Sequence, residues 1–149
     1  MKIEGTYTIA APRSLVYATL RDPAALKECI PGCQELTLQE DGRYLAKMQV
    51  GIAAVKGSFT GHVQITDEQE PSSYRLVVDG SGSPGFAKGD AIVTLSDAEN
   101  GTRVDVNGEG QVGGMIAAVG QRVLLPAARS LMNQFFTRMQ SKIEAAAKA

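Results

Sequence analysis

From about residue 33 to residue 112 the chain alternates apolar and polar side chains, and this long run constrains the fold more than any other feature. Alternation with period two is typical of strands that bury one face of a sheet. Turn signals such as Asp41-Gly42 and Asn100-Gly101 interrupt the run, and connections this short join antiparallel neighbours. We therefore predict an antiparallel meander. Its strands are predicted at residues 33–40, 43–53, 56–68, 73–82, 86–96 and 102–112.

The segments on either side of the meander have other patterns. Residues 2–10 alternate and predict a first strand, after which Pro12 opens one short helix and residues 23–29 form a second. From about Gly114 the apolar spacing becomes helical almost to the C-terminus, which predicts a helix of about 30 residues, roughly 45 Å long. Pro126 lies inside this helix and predicts a kink, because proline removes a backbone donor.

These elements predict an α+β fold in which a curved antiparallel sheet of about seven strands wraps around a long C-terminal helix. The chain has 149 residues, 44% of them hydrophobic and 21% charged, so it can bury a core without metal or disulfide support. We predict one domain over residues 1–149. The net charge of −1 gives no general attraction to nucleic acid, and we expect no nucleic-acid partner.

No apolar run reaches the length of about 18 residues that a membrane span needs. The N-terminal segment alternates like a strand and lacks the apolar core of a signal peptide, so we expect a cytoplasmic protein. Cys29 and Cys33 flank Pro31-Gly32 at a spacing that matches neither a C-x-x-C redox pair nor a zinc site. We expect free thiols in a reducing compartment, with a labile disulfide or a metal role as the alternative.

The inward positions of the predicted sheet are apolar, with glycine and alanine at corresponding ends of neighbouring strands. Two explanations are open. The glycines permit bulges and strong coiling of the sheet, or the missing side chains leave a cavity beneath the last helix. No charged residue or histidine falls on these positions, so a cavity would suit an apolar ligand. Leucine in place of Gly82 or Gly110 is expected to fill it without disturbing the fold.

The candidate lining of this cavity comes from the inward faces of the strands and the apolar face of the last helix. Phe86 is the candidate gate, because it lies among glycines at the expected mouth. The candidate ligand-binding residues are Met48, Val50, Phe59, Leu76, Val78, Phe86, Val112, Val119, Leu124, Ala128, Leu131 and Phe135.

Nothing in the pattern is typical of an active site. G-x-G-x-x-G spacing begins at Gly80 and again at Gly108, but neither occurrence lies in the strand–helix–strand context that binds dinucleotides. His62 alternates onto the polar face, and carboxylate pairs such as Asp67-Glu68 fall in turns. We predict no catalytic residue, no metal site and no enzymatic activity.

The last helix carries five cations and a single carboxylate, Glu144. This excess of positive charge suits an acidic membrane surface or an acidic partner, while the alternative is an ordinary solvated face. The five cations are Arg122, Arg129, Arg138, Lys142 and Lys148.

Four short segments, together with the order of the elements, resemble the carbon monoxide dehydrogenase G-subunit family of the START-like, polyketide cyclase-like helix-grip superfamily. The resemblance spans nearly the whole chain. The segments are Cys-Ile-Pro-Gly-Cys at 29–33, Val-Lys-Gly at 55–57, Ala-Lys-Gly at 87–89 and Asn-Gln-Phe-Phe at 133–136.

This resemblance implies a non-catalytic accessory protein that serves a molybdenum hydroxylase and contacts the inner face of the membrane. It also implies a quinone-like or lipid ligand in an apolar cavity, with no covalent cofactor. Several family members continue into a tail with membrane affinity, so we expect weaker anchoring of a chain that stops at Ala149. The alternatives are a maturation or membrane-docking factor whose cavity is incidental, and an enzyme that uses Tyr7, Tyr44 or Tyr74 in a polar pocket.

Overall fold

The computed structural model describes residues 1–52 and 55–149. Within these ranges seven strands, three α-helices and one 3-10 helix follow one another, and the strands and the first two helices come in the order that the sequence predicts. The strands are β1 (Lys2–Ile9), β2 (Cys33–Leu38), β3 (Tyr44–Ile52), β4 (Val55–Gln69), β5 (Ser73–Gly82), β6 (Gly85–Ala98) and β7 (Gly101–Gly113). The helices are α1 (Arg13–Leu20), α2 (Pro23–Cys29), the 3-10 helix (Gly114–Val119) and α3 (Gln121–Lys148).

The strands form one antiparallel sheet in the order β1-β7-β6-β5-β4-β3-β2. Each strand of the meander therefore pairs with the strand next to it in sequence. β1 pairs with β7 and forms the edge of the sheet opposite β2. This confirms the predicted α+β helix-grip architecture, and the strand ends agree with prediction to within two residues. The predicted end of one strand at residue 53 lies outside the described residues.

The prediction of one continuous helix from Gly114 is wrong. A 3-10 helix over Gly114–Val119 is followed by Gly120, which has a φ of 83° and a ψ of 160°. Only glycine adopts this backbone conformation readily, so the helical path is broken there and α3 starts afresh at Gln121. Pro126 lies inside α3, and the kink that it predicts stays a prediction.

Side chains packed between the sheet and the helices form two apolar clusters of unequal size. The larger, here called the main core, fills the end of the molecule where α1 and α2 meet α3. The smaller, here called the minor core, consists of buried Phe59, Ile116 and Leu124 with partly buried Met1, Met48, Val50 and Val112. The residues of the main core include Ile9, Val16, Tyr17, Leu20, Tyr74, Val93, Leu95, Val104, Phe136, Met139 and Ile143.

Candidate functional site

The minor core brings together five of the twelve predicted ligand-binding residues. Strand pairing places Met48 opposite Phe59 and Val50 opposite Gly57, which sets these side chains on the inward face of the sheet. Leu124 reaches them from the first turn of α3. The five residues are Met48, Val50, Phe59, Val112 and Leu124.

The other seven predicted residues lie outside this cluster. Leu76 and Phe135 pack against the main core, whereas Ala128 and Leu131 are partly buried on α3. Val78 lies opposite Gly89 on the neighbouring strand. The remaining two, Phe86 and Val119, are exposed at the end of the molecule nearest the minor core. The gating role of Phe86 stays a prediction.

Several glycines along the sheet permit close approach of a neighbouring strand. A Cβ atom on Gly61 or Gly82 would collide with a carbonyl oxygen of the neighbouring strand, at Asp79 and Ser58 respectively. At Gly110 a Cβ would lie only 3.1 Å from Cδ1 of Ile3. The expectation that leucine at Gly82 leaves the fold intact is therefore wrong, because alternation identifies a face but not the distance to the next backbone. At Gly110 the near atom ends a flexible side chain, and the same expectation stays a prediction there.

Gly80 differs from these glycines because its missing side chain leaves room. A Cβ placed there would find a single neighbour, Cβ of Phe59 at 4.0 Å, and Gly80 lies opposite Gly61 in the β4–β5 ladder. The inward face of the sheet thus has open space beside the minor core at this position.

Two depressions on the surface lie away from the minor core. One runs along the solvent face of α3 and includes Pro126, Arg129, Asn133 and Arg138. The other lies on the outer face of the sheet among Asp79, Lys88, Asp90 and Glu109, and Val78 is the one predicted ligand-binding residue that lines either of them.

The space between sheet and helices holds no charged side chain among the described residues. The buried polar residue there is Thr102, whose hydroxyl donates to the carbonyl oxygen of Ala11 at 2.8 Å. His62 lies on the outer face, as predicted, with Nδ1 at 3.3 Å from Oδ1 of Asp79. Within the described ranges no group of three or more His, Cys, Asp or Glu side chains is arranged to hold a metal ion.

An enzyme would need Tyr7, Tyr44 or Tyr74 in a polar pocket, and two of these three tyrosines lack one. The Tyr7 hydroxyl donates to Oδ1 of Asn133 at 2.7 Å, but this contact is exposed. Tyr74 is buried in the main core, with its ring edge-on to Tyr17 at 5.8 Å between centroids, and burial raises the pKa of its phenol. Tyr44 is partly buried on β3.

The model of the carbon monoxide dehydrogenase G-subunit (CoxG) family matches residues 5–144 of this chain. The chain belongs to the CoxG family. No curated protein is similar enough to be matched to it.

Several solved structures share the fold of this chain. A conserved protein of Geobacillus kaustophilus is 34% identical to the CoxG-family chain, with a TM-score of 0.94 over 98% of this chain and 97% of that one. A protein of Chromobacterium violaceum is 15% identical, with a TM-score of 0.73 over 97% and 98% of the two chains. A protein of Thermus thermophilus is 13% identical, with a TM-score of 0.73 over 99% of both. The last two show the shared START-like fold alone.

Both cysteines of the CoxG-family motif at 29–33 are free thiols. Cys29 is buried, and burial raises the pKa of its thiol. Cys33 is partly exposed on β2, and burial also raises the pKa of its thiol, so neither cysteine is poised as a thiolate nucleophile at neutral pH.

The cations of α3 are not all available for a partner. Lys142 makes an ion pair with Glu28 of α2, with 2.6 Å between Nζ and Oε2, and therefore ties the two helices together. Arg122, Arg129 and Arg138 are exposed and make no ion pair with any described residue. No helix among the described residues is both long and apolar enough to cross a membrane.

Sequence reasoning missed two members of the minor core, Met1 and Ile116. Ile116 belongs to the 3-10 helix, which the helical spacing after Gly114 concealed. The glycines that bracket this segment, Gly113-Gly114 and Gly120, are the signal that could have separated it from α3.

Proposed function

We propose that this CoxG-family protein is a non-catalytic accessory protein that binds an apolar ligand between the sheet and α3. The ligand is quinone-like or a lipid, and the minor core is its site. The observation that carries this proposal is the open space at Gly80, which lies beside Phe59 on the inward face of the sheet.

The chemistry of the surroundings supports an apolar ligand. Phe59, Ile116 and Leu124 provide apolar surface, and no charged side chain is buried among the described residues. Met48 and Met1 flank them, and methionine side chains adapt readily to the shape of a ligand. Such a site holds its ligand by dispersion and by removing apolar surface from water, without a covalent cofactor.

Membership of the CoxG family supports the choice of partner. The family is named for a component of carbon monoxide dehydrogenase, and we propose a molybdenum hydroxylase of that type as the enzyme that this protein serves. A quinone bound in the minor core would take up two electrons and two protons from that enzyme and leave as the quinol.

Leucine at Gly80 tests the site, because its side chain would occupy the space beside Phe59. We expect Gly80→Leu to weaken uptake of decylubiquinone at least about tenfold, measured by equilibrium dialysis with chromatographic quantification. The matched control is Gly51→Leu, since Gly51 is exposed on β3 with nothing within 4 Å of a Cβ. Equal uptake by wild type, Gly80→Leu and Gly51→Leu, with unchanged circular dichroism, would contradict a ligand in the minor core.

A docking role with an incidental ligand site is the second candidate. The depression on the solvent face of α3 favours it, because Arg129 and Arg138 flank a groove of uncharged polar side chains. Under this candidate Arg129→Glu abolishes binding of the enzyme while Gly80→Leu leaves it intact. The ligand-carrier proposal expects Gly80→Leu to abolish quinone-dependent electron transfer.

A further inference from the structure

The solvent face of α3 carries arginines that the protein does not itself neutralise. Arg129 and Arg138 are exposed and line the depression on this face, here called the α3 groove. Neither makes an ion pair with a described residue. Residues 121–143 contain no aspartate or glutamate, although the whole chain has a net charge of −1. The helix therefore presents positive charge, while the rest of the chain is net negative.

Between the two arginines the groove is uncharged and rich in hydrogen-bonding groups. The Tyr7 hydroxyl donates to Oδ1 of Asn133 at 2.7 Å, and the Tyr7 ring is stacked on Phe136 at 4.1 Å between centroids. The amide nitrogen of Asn133 is therefore turned away from Tyr7 and is available to donate. The floor of the groove consists of Pro126, Ser130, Asn133, Gln134 and Thr137.

The spacing of the two arginines limits the shape of an occupant. Arg138 follows Arg129 by nine positions, which is about two and a half turns and about 13 Å along the helix axis. The two side chains therefore start from opposite sides of the groove. In an extended chain four residues also span about 13 Å, and the fourth side chain returns to the same face. A helical partner would instead need an apolar floor to pack against.

We propose that the α3 groove binds an extended acidic segment of a partner protein, with two carboxylates four positions apart. The carboxylates pair with Arg129 and Arg138, and the Asn133 amide donates to a main-chain carbonyl oxygen between them. A guanidinium group suits this role because it binds a carboxylate through two parallel hydrogen bonds.

The lining of the α3 groove favours an acidic protein segment over a lipid surface. No large apolar side chain is among the described residues that line it, so the groove offers nothing to insert between acyl chains. None of the minor-core residues lines the groove either. Binding of an acidic segment is therefore independent of a ligand in the minor core.

A short synthetic peptide tests the spacing. The probe is a serine–threonine peptide with two aspartates four positions apart, titrated into the isotope-labelled full chain and followed by NMR. We expect saturable shifts of the backbone amides in 126–138 and of the side-chain Nε signals of Arg129 and Arg138. A peptide with the aspartates two positions apart, or with asparagines in their place, is expected to bind at least about fivefold more weakly.

Arg122 provides a matched control on the same helix, because it is exposed but does not line the groove. Arg129→Gln and Arg138→Gln are each expected to weaken binding of the peptide at least about fivefold, and Arg122→Gln to change it less than about twofold.

Three results overturn the proposed groove. The first is equal weakening by all three substitutions, which indicates general attraction to a cationic helix. The second is the absence of saturable shifts in 126–138. The third is binding of anionic vesicles or self-association that Arg129→Gln abolishes, in place of peptide binding, because a membrane or a second copy then occupies this face. Uptake of decylubiquinone by the same variants is measured separately, and if it persists the proposed function stands without the groove.

Discussion

At the scale of one residue, Tyr74 is an ionisable side chain that is buried in the main core. The side chain is buried, faces the edge of Tyr17 and has the pKa of its phenol raised by desolvation. Burial favours the neutral form because a phenolate would lose its hydration. The group is therefore part of the packing at neutral pH, and its titration reports on folding.

The raised pKa predicts a loss of stability in alkali. Below about pH 10 the Tyr74 phenol is neutral in both the folded and the unfolded protein. Above that pH the phenol ionises in the unfolded chain but not in the folded protein. The free energy of unfolding therefore falls by up to about 1.4 kcal/mol per pH unit. We expect the free energy of unfolding in urea to fall less steeply above pH 10 in Tyr74→Phe than in wild type. Tyr44→Phe is the control on β3, and identical slopes in all three proteins would contradict the burial of an un-ionised Tyr74.

At this scale, the sequence could not predict how much space lies beside each glycine of the sheet. Alternation correctly assigned Phe59 and Tyr74 to the inward face and His62 to the outer one. It could not distinguish Gly82, where the neighbouring backbone leaves no space, from Gly80, where space is open. That difference depends on strand coiling, which one strand's sequence does not encode.

At the scale of elements, the break at Gly120 separates the segment that carries Ile116 from α3. The φ of 83° and ψ of 160° at Gly120 lie in a region that residues with a Cβ avoid. This break lets the 3-10 helix turn onto the β5–β6 hairpin while α3 crosses the sheet. Turn residues and alternation predicted the strands well, since both act locally, whereas the start of α3 depends on tertiary contacts of the 3-10 helix.

Alanine at Gly120 is expected to destabilise the protein by about 1–3 kcal/mol, because the backbone conformation would be strained. Gly51→Ala is a close control. Neither glycine has an atom within 4 Å of a Cβ, but only Gly120 has a positive φ. Urea unfolding of both variants measures the effect, and we expect Gly51→Ala to be neutral or stabilising by up to about 1 kcal/mol. Equal stability of the two variants would show that alanine adopts the backbone conformation at residue 120 without strain.

At the scale of the whole molecule, apolar packing is concentrated at one end. The main core joins α1, α2, α3 and the sheet, while the minor core, as far as the described residues go, contains three buried side chains, Phe59, Ile116 and Leu124. Stability can thus reside in one end while the other retains space at Gly80 and exposes the large apolar side chains of Phe86, Met115, Val119 and Val123. Under the proposed function, the ligand site and most of the apolar packing lie towards opposite ends of α3.

The sequence predicted the architecture and the family, and part of the candidate site. Met48, Val50, Phe59 and Val112 were predicted from strand alternation and do meet in the minor core. Residues chosen along the last helix separated, because position along a helix axis depends on how the helix crosses the sheet. Phe135 therefore packs on the main core while Leu124 reaches the minor one.

Native mass spectrometry of the purified full chain, followed by organic extraction, tests the proposed ligand most directly. We expect a quinone or lipid bound at near one molecule per chain, and a clear loss of that species in Gly80→Leu but not in Gly51→Leu. A wild-type protein that is empty and also fails to take up added decylubiquinone would contradict ligand binding and favour the docking role.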